Sequence, residues 1–212
     1  VAYLDDKGWF WNIPLRNNIV SSGIVAEADY LFRDGRDPAE IYKREIENNA
    51  WIKEHLAEGE QFGEYWVTGE YSYRAEHCCA DGLLLIGDAF AFLDPVFSSG
   101  VFLALKTGEL GADAAEAALA AGDTSSAAFA DYGETVCRAM EVMRKIVYAF
   151  YDPEFSFGTV LKKHPHLQPQ ITDCLIGDIV GKDYEELMAA MEEVVELPEP
   201  LKHGRAPVVE VA

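Results

Sequence analysis

The sequence predicts a mixed α/β chain in which short strands lead into long helices, and three stretches predict it. Gly8 to Leu15 alternates aromatic and aliphatic residues and ends at Pro14, a strand pattern. Leu83 to Ile86 is a short apolar run closed by Gly87 and Asp88, long enough for one buried strand. From Gly100 onward Ala and Leu dominate about twenty residues of helical propensity.

The chain is organised around Gly82 to Leu119. Strand, Gly-Asp turn, loop and helix start follow one another there, which puts a carboxylate and several backbone N–H groups at one sheet edge. Asp88, when ionised, is an acceptor suited to sugar or polyol hydroxyls. The loop carries Asp94-Pro95 and Phe97-Ser98-Ser99-Gly100. Ser98 and Ser99 are predicted helix N-caps. The first-turn N–H groups beyond them carry the positive end of the helix dipole and can receive a carbonyl oxygen or an anion. Gly100 lets a flat ligand approach the backbone. Spacing alone fits equally well a ligand-free turn that Asp88 merely caps.

The elements in order are these. Asn17-Asn18 reads as a hairpin turn, with Ile19 to Ala28 returning as the partner strand and Gly23 as a bulge. Trp9 and Trp11, at i and i+2, share one strand face and read on their own as two core rings. Residues 38 to 57 read as one helix. Asp37 is its N-cap, Pro38 its first residue, and Glu40 completes a capping box. Ile41, Ile46, Ile52 and Leu56 form its apolar stripe. Glu64 to Glu76, with Tyr65, Val67, Tyr71 and Tyr73, reads as a strand or long edge segment. Arg74 reads as an ion-paired or exposed residue.

Ala120 to Asp123 stops the organising helix, and Ser125 or Ser126 caps a second long helix to about Tyr151. Phe129, Tyr132, Val136, Met140, Met143, Val147 and Phe150 fall at 3-4 spacing on its packing face. Asp152-Pro153 ends it. Phe155 to Leu161 is aromatic and short. His164-Pro165-His166 reads as a structural turn, since no third ligand is spaced for a metal, and no metal site is expected. Residues 168 to 178 and 183 to 195 read as helices, and Pro198, Pro200 and Pro207 make the last stretch loop-like.

The chain has 212 residues, room for a sizeable core, and a net charge of −20. Such a surface repels phosphate backbones and excludes nucleic acid as an expected partner. Cys78, Cys79, Cys137 and Cys174 show no zinc spacing and read as buried thiols of a reducing cytoplasm. No run of about 18 apolar residues and no signal peptide is visible, so no membrane partner is expected. The chain starts Val-Ala-Tyr and contains no G-x-G-x-x-G fingerprint.

Two motifs together carry a resemblance. Gly87-Asp88-Ala89 with Asp94-Pro95 and the small-residue helix start resembles the second FAD-binding motif of flavin-dependent monooxygenases and halogenases. Trp9-Phe10-Trp11-Asn12-Ile13-Pro14 matches the pattern W-x-W-x-I-P of flavin-dependent halogenases at each fixed position. The string DPVFSSGVFLAL and Ser72-Tyr73-Arg74 are also similar to that branch.

The resemblance implies the C-terminal part of a monooxygenase-type FAD-binding fold. Residues 1–76 would hold part of the substrate-domain sheet and a connecting helix. Residues 77–151 would be the C-terminal part of the FAD domain, and 152–212 a helical C-terminal region. FAD, reduced by a separate reductase, would use oxygen and chloride or bromide to halogenate an electron-rich substrate, small or carrier-bound. Asp88 would hold the ribityl chain beside Gly87. Asp94, Pro95, Phe97, Ser98, Ser99 and Gly100 would line the flavin ring, with the N–H groups of Ser99 and Gly100 for the halide.

Trp9 and Trp11 would line the tunnel between flavin and substrate, and Arg74 would approach the flavin or anchor the domain seam. Phe155, Phe157 and Leu161 would contribute to a substrate pocket. The dinucleotide fingerprint and the catalytic lysine belong to the family's N-terminal half, expected to be missing here; nothing gives that role to Lys7, Lys43 or Lys53. The rival readings are an aromatic hydroxylase on the same fold, and an inactive C-terminal segment.

Overall fold

The computed structural model describes residues 2–3 and 8–207; Lys7, and the outermost residues of the first and last expected segments, lie outside them. The chain forms two compact units, Val1–Gly69 and Glu70–Ala212.

The first unit is built on an antiparallel sheet of β1 (Ala2–Tyr3), β2 (Gly8–Pro14) and β3 (Val20–Ala26), in that order. Asn17 and Asn18 make the turn with φ of 60° and 57°, which asparagine tolerates because its short side chain bonds locally. Gly23 is not a bulge. It pairs in register with Trp11, and a Cβ on it would lie 2.1 Å from the Trp11 ring. Glycine is there so that the indole can lie flat across the neighbouring strand, where Trp11 Nε1 donates to Ser21 Oγ at 3.2 Å. Trp9 is buried, and its ring centroid is 6.3 Å from that of Trp11.

After the short α1 (Ala28–Leu31), the single helix expected over 38–57 is two helices, α2 (Pro38–Asn48) and α3 (Ala50–Leu56). Asp37 caps α2 as predicted, accepting from the Ala39 and Glu40 N–H groups. Asn49 breaks the run: its backbone is extended and its side chain accepts from Ile52 N–H at 2.9 Å, capping α3. A mid-helix asparagine here prefers the cap to the continuous helix. Phe10 and Ile52 form the core of this unit, with Ile24, Tyr30, Tyr42, Ile46 and Leu56 against them. Beside it sits the fully buried Glu45. It accepts from Tyr30 Oη at 2.7 Å, Arg33 at 2.8 Å, Arg44 at 2.7 Å and Asn48 at 3.1 Å. Burial works against the Glu45 carboxylate, but these bonds outweigh it and hold the carboxyl below its ordinary range.

The structure departs from expectation at two strands. Glu64 to Glu76 is not a strand: only β4 (Tyr73–Arg74) forms, paired with β7 (Ala91–Phe92), while Trp66 and Val67 lie exposed. Alternating Tyr and Val residues imitate a strand, but the backbone pairing that forms lies at the segment's end, where Ala75 N–H also donates to Phe90 O at 2.8 Å and Glu76 O accepts from Gly204 N–H at 2.7 Å. Leu83 to Ile86 is not one buried strand either. β5 (Cys79–Ala80) and β6 (Leu83–Leu84) form a tight hairpin, with Leu83 and Ile86 exposed. Asp81-Gly82 closes it, with φ +70° at Gly82, a turn pair that the apolar run concealed.

The long helices follow the sequence. α4 (Gly100–Ala121) ends at Gly122 in the left-handed region. α5 (Ala130–Tyr151) buries Tyr132, Val136, Met140, Met143 and Val147. A 3-10 turn, Ser126–Phe129, precedes α5, and neither Ser125 nor Ser126 caps it. The long-range cap is Asp81, whose carboxylate accepts from Ser126 N–H at 2.8 Å.

α6 (Phe157–Lys163), α7 (Gln168–Ile176) and α8 (Glu185–Glu192) follow, and residues 193–207 hold no helix or strand. His164 and His166 bond to Glu193 at 3.1 Å and Glu186 at 2.7 Å respectively. Arg74 is ion-paired: it bonds to Glu141 at 2.6 Å and to Leu201 O at 3.0 Å, fastening the tail to α5. The four cysteines are buried free thiols, with burial raising Cys78 and Cys174 to about 12. No helix among the described residues is long and apolar enough to cross a membrane.

Glu45→Gln is expected to cost about 2 kcal/mol at pH 7. Hydrogen bonds to a charged group contribute about 1.5–3 kcal/mol each, discounted here because both arginines are partly exposed. The native carboxyl lies below its unfolded value, so its contribution is present above about pH 4.3 and is lost as pH falls through the folded value. Denaturant unfolding of both proteins at pH 7 and pH 3 checks this: the difference between them shrinks at pH 3.

Candidate functional site

The site begins where the apolar run stops. Ile86 is extended, and Gly87 then turns the chain with φ +55° into a 3-10 turn over Gly87–Ala89. This turn lies against α4, and a Cβ on Gly87 would stand 2.9 Å from Ala104 Cβ. Conformation and space both demand glycine. Gly87 N–H donates to Thr107 Oγ1 at 3.0 Å, and the Thr107 hydroxyl donates to Leu103 O at 2.8 Å. The buried hydroxyl is thereby satisfied and ties the turn to the helix.

Asp88 is exposed, and its backbone carbonyl accepts from the Tyr73 hydroxyl. Phe92 stacks on Tyr71 at 4.9 Å and on Tyr73 at 6.3 Å. Asp94 caps the 3-10 turn Pro95–Phe97 by accepting from Val96 N–H at 3.0 Å, and its other oxygen accepts from Tyr151 Oη at 3.0 Å. Burial pushes the Asp94 carboxyl up, against the pull of those two bonds.

Ser98 and Ser99 do not cap α4 with their side chains. Ser98 is left-handed (φ 54°), and Ser99 occupies the N-cap position with no side-chain bond. The serines instead shape the backbone. A left-handed residue between two right-handed ones turns successive N–H groups toward one side, an anion-receiving nest. The Ser98 N–H is taken by Pro95 O at 2.8 Å. Those of Ser99 and Gly100 sit at the start of α4, where first-turn N–H groups have no intrahelical partner. A Cβ on Gly100 would meet nothing within 4 Å. The protein's own packing does not require that glycine, although a helical glycine costs about 1 kcal/mol against alanine. Space beside the backbone is kept open there.

Gly87, Asp88, Asp94, Pro95, Ser99 and Gly100 line one concavity, with Ala91, Phe92, Leu93, Leu103 and Met140. Its volume is about 40 Å³, well under the roughly 300–1,000 Å³ of a complete ligand pocket. These residues can hold one edge of a flat ligand. Phe97 and Ser98 stay off the lining; Phe97 packs edge-on against Phe150, with centroids 5.5 Å apart. Phe155 and Phe157 pack on each other at 4.9 Å, and neither they nor Leu161 line the concavity. The C-terminal region nevertheless touches the loop: a Cβ on Gly177, at the end of α7, would lie 2.9 Å from Ser99 Cβ. Trp9 and Trp11 belong to the first unit. Sequence reasoning missed Thr107, Tyr151, Phe92 and Met140. A threonine inside an Ala-rich helix was the one available signal; the others depend on contacts distant in the chain.

The family model described as tryptophan halogenase matches residues 1–160. A 1H-pyrrole-2-carbonyl-[peptidyl-carrier protein] chlorinase of Pseudomonas fluorescens is 26% identical, over 88% of this chain and 41% of its own length. A flavin-dependent halogenase of Armillaria mellea is 33% identical, over 90% of this chain and 41% of its own length. The solved structure of the flavin-dependent brominase Bmp2 superposes with a TM-score of 0.73 at 27% identity, covering 89% of this chain and 48% of that one. The chain thus spans about two-fifths of the length of these curated relatives.

Gly87→Ala is expected to destabilise the second unit by about 2–4 kcal/mol, from left-handed strain and overpacking against Ala104. Thermal unfolding of the variant measures it, and Gly122→Ala, left-handed but with open space around it, should cost only the strain.

Proposed function

The chain belongs to the tryptophan halogenase family, and we propose that it contributes the flavin-ring and halide edge of an FAD-dependent halogenase. The observation that carries this is the loop 94–100. It joins a nest, a helix start and a glycine whose side-chain space is left open. Its lining suits one edge of FAD in chemistry. Asp88 offers an exposed acceptor to ribityl hydroxyls, Gly100 admits the ring's edge, and Phe92, Leu103 and Met140 give it an apolar flank.

Bound reduced FAD would supply the electrons by which oxygen and halide become a halogenating oxidant. The Ser99 and Gly100 N–H groups hold chloride or bromide without an added cation, as neutral donors at a helix N-terminus can. Asp94 keeps those groups in place by capping the turn before them. Trp9 and Trp11 restrict contact between substrate and cofactor, which favours halogenation over hydroxylation. Phe155, Phe157 and Leu161 are proposed for the substrate side. The reaction needs these residues together with the parts that the relatives carry beyond the matched region.

The substrate proposed is an electron-rich aromatic, free or carrier-bound; the chlorinase relative is named for a carrier-bound pyrrole. A separate flavin reductase is the proposed partner, and the four unpaired buried thiols favour a cytoplasmic setting. The enzyme, given reduced FAD, oxygen and an electron-rich pyrrole or phenol, is expected to yield brominated product only with bromide present. Hydroxylated product alone would sink the halogenase reading in favour of a hydroxylase. Gly100→Ala tests the loop: its unfolding temperature should hold or rise, while FAD and bromide bind at least about tenfold more weakly.

A further inference from the structure

The loop 94–100 does not hold its own shape. A three-residue 3-10 turn is a short and weakly bonded element. Ser98 beyond it sits in a strained left-handed conformation with φ 54°, which persists only where the surroundings over-determine it. The C-terminal end of α5 supplies that determination at both ends of the turn. Tyr151 Oη donates to Asp94 Oδ2 at 3.0 Å, while Asp94 Oδ1 caps the turn at Val96 N–H, also at 3.0 Å. Phe150, the residue before, packs edge-on against Phe97, the turn's last residue, at 5.5 Å and 78°. Behind both, α5 is anchored by the buried Val136, Met143 and Val147, and by Met140, which lines the concavity itself.

We propose that Tyr151 is a positioning residue: with Phe150 it holds the loop 94–100 in shape and so sets where the Ser99 and Gly100 N–H groups stand. The proposal rests on reading that loop as the flavin and halide edge, and deepens it. The link is the division of labour on one carboxylate. Asp94 spends one oxygen on the turn and one on Tyr151. When the tyrosine hydroxyl is removed, a half-buried oxygen loses its donor, and the carboxylate rotates toward water or takes a proton. Either response loosens its hold on Val96, and the backbone that follows is free to leave the nest.

The test is Tyr151→Phe in the purified chain, with Tyr148→Phe as control. Tyr148 lies on the same helix and is exposed, with Arg144 over its ring. Backbone amide exchange is measured by NMR over residues 96–100, with a bromide titration of the Ser99 and Gly100 amides. Exchange at 96–100 is expected to quicken about tenfold in Tyr151→Phe and not in Tyr148→Phe, with the interior of α5 unchanged; about 1.4 kcal/mol corresponds to that factor. In an Asp94→Asn background, Tyr151→Phe should add little, because the two act through one carboxyl group. Bromide should then bind about tenfold more weakly to Tyr151→Phe.

Unchanged exchange over 96–100 overturns the proposal, as does an equal rise along the whole of α5, which would make Tyr151 a general packing residue. If exchange quickens locally but bromide moves neither amide of the wild-type chain, positioning by Tyr151 stands and the halide reading of the loop falls.

Discussion

What the second unit can present to a ligand depends on one close approach, the Gly87 backbone against Ala104 of α4. A Cβ there would stand 2.9 Å from Ala104, so the turn and the helix sit as near as two backbones can. Thr107 converts that nearness into a bond with Gly87 N–H. The consequence runs along the chain. With 87–89 fixed on α4, the segment 90–99 is a closed loop whose two ends belong to one rigid element, and Asp88 and Gly100 both line one concavity. A wider spacing would leave the carboxylate and the N–H groups independent of each other, and no ligand could use both at once.

The parts legible in the sequence are those decided locally. Asp37 reads as a cap because its side chain reaches N–H groups two and three residues on. The face of α5 reads because 3-4 spacing is a property of one helix, and the Asn17-Asn18 turn because both residues tolerate a positive φ. The Gly-Asp, Asp-Pro and Ser-Ser-Gly groupings fall on one loop and turn, and six of the eight residues expected around a cofactor line one concavity.

The parts that failed involve partners far away in the chain. Ser126 receives its cap from Asp81, not from itself or Ser125, and Asp94 meets Tyr151. Leu83 to Ile86 and Tyr65 to Tyr73 failed for a related reason. An apolar or alternating run states a demand for a partner, and only the fold decides whether the demand is met. The serines are the instructive case. Their identity suggested side-chain caps, whereas the structure shows no side-chain cap and a left-handed backbone at Ser98, a property that residue type barely signals.

The charge of the chain sharpens the reading of the site. A net charge of −20 argues against an anionic ligand at first sight, and the concavity has two carboxylates, Asp88 and Asp94, with no lysine or arginine on its lining. Screening limits the first objection, since exposed charges beyond about 8 Å contribute little at physiological salt. The second is a matter of arrangement. A cation at the loop would pair with Asp88 or Asp94 and close the concavity on itself. Backbone N–H groups cannot, because helix geometry fixes their direction and they carry no net charge to neutralise. On the proposed reading, the oriented donors of Ser99 and Gly100 and the exposed acceptor of Asp88, all on one lining, suit a ligand that bears both hydroxyls and negative charge. A flavin with a halide beside it, the ligand proposed, would use both kinds of group; a simple anion or a simple polyol would use only one.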